Sequence, residues 1–270
     1  MEKLEHPLLI VGWVNALLGP LVRTIAERLG FHLSGHEVIP PFMVMVMLIV
    51  AGLTMLSMIV RSRLSVEHPG TLQILVEDGI GAILGLLEEW IGPKGRKYLP
   101  LIGTLGIFIL CANYMGLIPG LMAPTSSINV TLGCAITIWV YYHFQGVKEQ
   151  GVVNYAKHFA VPPGSPVWMA PLMLIIELIS HSSRVLSLSL RLFGNIFGEE
   201  LVIIILFSIV PFLAPLPMMF LGLVTGGLQA FIFVLLSIIY LQGAVAVDHD
   251  ETDAEGHHHS PSGTHAPAAA

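Results

Sequence analysis

A row of polar and charged residues runs through the longest apolar stretch of this chain: Glu177, Ser180, Arg184, Ser187, Arg191, Asn195 and Glu199, with Glu200 beside the last. They recur every three or four residues, which places them along one face of a helix. The stretch, about 169–209, has no proline between Leu172 and Val210. As one helix it would be roughly 55–60 Å long, about twice the 30 Å thickness of a bilayer core, so it must tilt strongly or bend. An arginine at a helix centre in lipid costs roughly 2.5–3.5 kcal/mol. The acids nearest to Arg191 on this helix are eight or more residues away, so no local carboxylate neutralises it. A charge kept there against that cost marks an ion or substrate path.

The rest of the chain fits a membrane. Of its 270 residues 54% are hydrophobic and only 11% charged, against about 25% charged in soluble domains. The fold class expected is an all-α polytopic membrane protein. About five membrane segments, one interfacial amphipathic helix and a single membrane domain over 1–247 are predicted. The N-terminal region, with Arg23, Glu27 and Arg28 and with Trp13 as a headgroup anchor, reads as the interfacial helix. Spans follow at about Phe42–Val60, Leu99–Leu117 and Val130–Phe144, then the long helix, then a final helix from about Met218 to Val247. The last two form a long, strongly inclined hairpin. The stretch 71–91 carries Glu77, Asp78, Glu88 and Glu89 and is too charged to span; it suits an interface or a partner helix. Residues 248–270 are acidic and His-rich and read as a disordered tail.

Basic groups cluster at 61–63, 94–97 and 148–157, while the loops at 120–128 and 210–217 are uncharged. The positive-inside rule then puts the N-terminus outside and the C-terminus in the cytoplasm. No basic patch suits nucleic acid. Cys111 and Cys134 fall in apolar segments and give neither metal spacing nor a disulfide framework. No phosphate-binding glycine loop or nucleophile elbow occurs, so the chain itself is not expected to hydrolyse ATP.

The segment Arg191-Leu192-Phe193-Gly194-Asn195 resembles the invariant-arginine motif of the a subunits of F-type ATP synthases. Leu228-Gln229-Ala230-Phe231-Ile232-Phe233 downstream and Asn129-Val130-Thr131-Leu132 upstream extend the likeness over about Leu99 to Gly243. The resemblance implies the stationary, non-catalytic proton-channel subunit of the membrane sector, without cofactors. It would sit in a bacterial inner membrane against a rotor ring of c subunits, with peripheral-stalk b subunits and other synthase subunits as partners.

It also implies roles. Arg191 is the essential arginine and Gln229 its neighbour on the last helix. Asn195 and Glu200 match the outer half-channel, Glu177 and Ser187 the cytoplasmic one, and Asn113 in the second span matches a polar channel position. A fixed cation favours the ionised rotor carboxylate and blocks a continuous proton wire, and arginine keeps its charge there. Gly116 and Gly222 stand where some members carry ionisable groups. Glu200 is therefore expected to face the volume vacated at Gly222, with water as the relay, and Glu199 to be a secondary acceptor or to face the rotor.

Two other classes compete. A secondary transporter with a mid-membrane site predicts internal repeats and broken helices, and no convincing repeat is present. An intramembrane enzyme or metal site using Glu177 and His181 needs further ligands or a nucleophile at matching depth.

Overall fold

The computed structural model describes residues 9–28, 39–62, 64–65, 70–118, 121–155, 167–210 and 213–245. The expected tail at 248–270, Lys157 and the prolines at 162–166 lie outside the described residues. The described residues are predominantly helical. The elements are α1 (Leu9–Arg28), α2 (Pro41–Ser62), α3 (Thr71–Ile91), α4 (Leu99–Met115), α5 (Ile128–Gln150), α6 (Ala170–Ile209) and α7 (Pro215–Val245). Short 3-10 turns at Pro93–Tyr98, Pro124–Ser126 and Val167–Met169 lead into α4, α5 and α6.

Four described stretches are long and apolar enough to cross a membrane: Pro41–Ser62, Pro93–Met115, Ala170–Ile209 and Pro215–Val245. The predicted third span lies on α5, which is long enough but falls outside this group by composition. Its polar groups turn inward: Thr131 Oγ1 lies 3.2 Å from Ser189 Oγ, and Tyr142 Oη 2.7 Å from His181 Nδ1. Paired this way, they cost little inside a bundle. Lys148 and Glu149, expected in the following loop, belong to the last turn of α5. That helix stops at Gly151, whose φ of 79° is open to glycine.

The final helix begins at Pro215, three residues before the predicted start. Pro215 and Pro217 fall in its first turn, where backbone N–H groups have no partner inside a helix, so proline is tolerated there.

The core is shared by α3, α4, α5, α6 and α7 through Leu87, Ile102, Ile109, Ile138, Leu192, Phe233 and Ile238, all nearly inaccessible. Helices α4 and α7 approach closely: a Cβ on Gly106 would lie 2.6 Å from Val234 Cγ2. Small residues give membrane helices this proximity. Helix α3 buries Leu87 against this core and leaves its four acids exposed, in line with the expectation that it does not span. Helix α1 docks on the start of α2. Asn15 Nδ2 donates to Ile39 O and Asn15 Oδ1 accepts from Ile39 N, and Val11, Ile39, Val44 and Met45 pack together. Trp13 is exposed, as a headgroup anchor requires.

Helix α6 has 40 residues without a break, roughly 60 Å, so it cannot stand upright in a bilayer. It pairs with α7 as the predicted long hairpin.

Candidate functional site: the polar face of the long hairpin

Helix α6 divides into two faces. His181, Leu188, Ser189, Leu192 and Ile196 are buried against α5 and α7. Ser187, Arg191, Gly194 and Asn195 are exposed. Arg191 makes no hydrogen bond or ion pair among the described residues. The expected approach of Gln229 to Arg191 takes another form. Asn195, one turn further along α6, donates from Nδ2 to Gln229 Oε1 at 2.8 Å. Gln229 is only 2% exposed, and its Nε2 has no partner among the described residues. The amide is thus fixed beside the arginine's turn with a donor to spare.

Beyond Asn195 the two glutamates diverge, as a step of about 100° on a helix requires. Glu199 points at α7: its Oε2 accepts from Thr225 Oγ1 at 3.1 Å, and its Oε1 fills the space above Gly222. Glu200 points at α4 and the loop behind it: its Oε1 accepts from the Ala123 backbone N–H at 2.9 Å and lies 3.3 Å from a Cβ built on Gly116. The expectation that Glu200 faces Gly222 is therefore corrected, since Glu199 takes that place. The expected water-filled gap is also replaced, by the Glu199 carboxylate itself.

Asn113 ties this end together. It is buried on α4, donates from Nδ2 to Gly226 O at 3.0 Å, and accepts from Thr125 Oγ1 at 2.9 Å. Glu177 stands at the opposite end of α6, 14 residues from Arg191, with its Oε1 3.0 Å from His181 Nε2. Among the described residues no three His, Cys, Asp or Glu side chains gather as a metal cage would need.

The sequence profile described as ATP synthase A chain matches residues 42–242. This chain belongs to that family. Relatives include ATP synthase subunit a of Citrifermentans bemidjiense, 43% identical over 244 residues, which are 90% of this chain and 99% of the relative. Subunit a of Geobacter sulfurreducens is 42% identical with the same shares, and subunit a 2 of Syntrophotalea carbinolica is 41% identical over 246 residues. The resemblance of the Arg191 motif to F-type a subunits is borne out, and with its four apolar helices the chain is a multi-pass protein of a bacterial inner membrane.

In this family member the residues singled out in the sequence form two groups. Arg191, Asn195, Gln229, Glu199, Glu200 and Asn113 occupy adjoining parts of α4, α6 and α7, whereas Glu177 lies apart and Ser187 is exposed between the two groups on the Arg191 face. Sequence reasoning missed Thr225, the Ala123 N–H and Tyr142. Thr225 carried a usable signal, because it lies one helical turn after Gly222 and so shares its face. A backbone donor and a tyrosine 39 residues from its histidine partner leave no such trace.

Proposed function

We propose that this chain is the stationary proton-conducting subunit of the ATP synthase membrane sector, facing a rotor ring of c subunits across the exposed face of α6. The observation that carries the reading is Arg191: an exposed, unpaired cation halfway along a 40-residue membrane helix, one turn from the Asn195–Gln229 bond. A charge left unneutralised among the described residues calls for an anion from a neighbouring subunit. A rotor carboxylate meets that need. It is held ionised while opposite Arg191 and takes a proton on leaving it. The guanidinium stays charged throughout and interrupts any proton wire along α6.

Two separate half-channels serve the rotor carboxylate. Glu199, Glu200, Asn113 and Asn195 form the outer one, and Glu177 and Ser187 the cytoplasmic one, with the N-terminus outside and the C-terminus inside as the basic loops dictate. The subunit performs no bond chemistry; it couples proton movement to rotation, and ATP is made by other subunits. The peripheral-stalk b subunits hold it still.

Replacing Arg191 with Ala in the assembled synthase tests this. ATP synthesis driven by a proton gradient should fall to background with the complex still assembled, and Lys should restore little, since it lacks the planar fork. Near-normal synthesis with Ala at 191 would end the proposal.

A further inference from the structure

The Glu177 end of α6 holds a hydrogen-bonded chain that crosses to α5. Tyr142 Oη lies 2.7 Å from His181 Nδ1, and His181 Nε2 lies 3.0 Å from Glu177 Oε1. Both imidazole nitrogens are thus engaged, one by a phenol and one by a carboxylate. A second phenol–imidazole pair abuts it: His143 Nδ1 is 2.6 Å from Tyr155 Oη, and the two imidazole rings are 4.9 Å apart. Exposure rises along the chain, from Tyr142 at 2% through the His181 side chain at 9% to the Glu177 side chain at 32%. A metal site is not what this gathering builds, because His181 already spends both nitrogens on protein partners. The sense of each bond is set by the tautomer; with one nitrogen accepting from the phenol and the other donating to the carboxylate, the ring can pass a proton between its two partners.

We propose that Tyr142, His181 and Glu177 form a proton relay on the Glu177 flank of Arg191, in which His181 takes the proton and Glu177 hands it to water; this rests on the proton-conducting reading above. At rest Tyr142 donates to Nδ1, and Nε2–H donates to the Glu177 carboxylate. An arriving proton binds Nδ1, and the Tyr142 hydroxyl turns to accept from it. The imidazolium then passes its Nε2 proton to Glu177, which releases it to water. Turning of the ring or exchange with water restores the first tautomer. One proton enters and one leaves, and no electrons move.

Among the described residues, the charged and titratable groups around His181 include Glu177 and Arg184 on α6, Tyr142 and His143 on α5, Tyr155, and Tyr240 on α7. Arg184 is engaged elsewhere, over the Tyr240 ring at 5.3 Å from its centroid. It leaves the His181–Glu177 contact free while adding positive charge nearby, which speeds release of the proton.

The test is passive proton flux through the membrane sector in vesicles holding the whole complex, stripped of its ATP-forming head, as a function of pH. Glu177→Gln and His181→Gln should each slow the flux about tenfold, and the double variant no further, as two members of one path require. Tyr142→Phe should conduct with a displaced pH profile, because only the group that sets the tautomer is lost. Added imidazole should recover part of the flux in His181→Ala, which a merely structural histidine would not allow. Wild-type flux and pH profile in both His181→Gln and Tyr142→Phe would overturn the relay. So would additive losses in the double variant. Gradient-driven ATP synthesis by Arg191→Ala in the intact complex, measured alongside, separates the two levels: lost synthesis there beside unaffected flux in the His181 variants removes the relay alone, whereas near-normal synthesis in Arg191→Ala removes the proton-conducting reading itself.

Discussion

Glu199 and Gly222 are complementary: a Cβ built on Gly222 would lie 1.6 Å from Glu199 Oε1. The acid of α6 occupies the volume that the missing side chain of α7 leaves, and Thr225 one turn on donates to its other oxygen. The carboxylate therefore belongs to the hairpin interface as much as to a channel wall.

Any side chain at position 222 must displace that carboxylate, and Leu117 Cδ2, at 2.9 Å, narrows the alternatives. Gly222→His should therefore lower ATP-driven proton pumping several-fold. Adding Glu199→Ala should recover part of the loss by vacating the space. Full activity of Gly222→His alone would show that Glu199 has another resting place.

Glu200 is held differently, by the backbone N–H of Ala123. Glu200→Gln keeps an acceptor for that donor, so the complex should assemble normally while proton flux falls about tenfold or more. Glu200→Ala leaves the N–H without its partner and should also lower the thermal stability of the complex, by about 1–3 kcal/mol. Unchanged flux in both variants would take Glu200 off the proton path.

The two faces of α6 predict a crosslinking pattern. Cysteines at Ser187 and Asn195, both exposed, should form disulfides with cysteines on rotor helices. Cysteines at Leu188 and Ile196, buried on the other face, should not. Equal yields from all four positions would remove the assigned orientation.

At the end of α5 Lys97 hydrogen-bonds Glu149, and this bond, ahead of every other influence, holds the Glu149 carboxyl below its ordinary range. A carboxyl depressed in the folded state adds stability above its unfolded value, and that contribution is lost as pH falls through the folded value. Thermal stability should therefore decline with acid below the ordinary value of 4.5, and Glu149→Gln should decline less steeply. The pair is partly exposed, so its contribution at neutral pH is below about 1 kcal/mol. Melting curves of both proteins in detergent at a series of pH values measure the difference.

The long hairpin and the face bearing Arg191 were legible in the sequence because they depend on local quantities. The absence of proline after Leu172 sets the length, and the three-and-four spacing sets the face. What was not legible depends on contact between distant segments. Glu199 and Glu200 are neighbours in sequence, and nothing in their spacing says which meets Gly222 and which meets Ala123; the packing of α4 and α7 decides it. The spacing puts Gln229 in the neighbourhood of Arg191, but which side chain it bonds is settled by fractions of an ångström, and in the fold its Oε1 accepts from Asn195. The span on α5 is legible by its length, although its polarity lowers its hydropathy; the hydroxyls of Thr131 and Tyr142 are satisfied by Ser189 and His181 of α6, a fact that hydropathy does not weigh.

Arg191 lies near the middle of α6 but does not divide the interval between its acids equally. It stands 8 residues from Glu199 and 14 from Glu177, roughly 12 Å and 21 Å along one straight axis, and inclining the helix leaves that ratio unchanged. If the voltage between the two acids falls evenly along the axis, a proton gains about one third of it on the Glu199 flank and two thirds on the Glu177 flank. On the proposed proton path, of the roughly 2.3 kcal/mol that each charge gains per 100 mV, about 0.8 would be delivered before the proton boards the rotor and about 1.5 after it leaves. The electrical and chemical parts of the driving force, interchangeable in total, then act on different steps: voltage on departure, outside acidity on boarding.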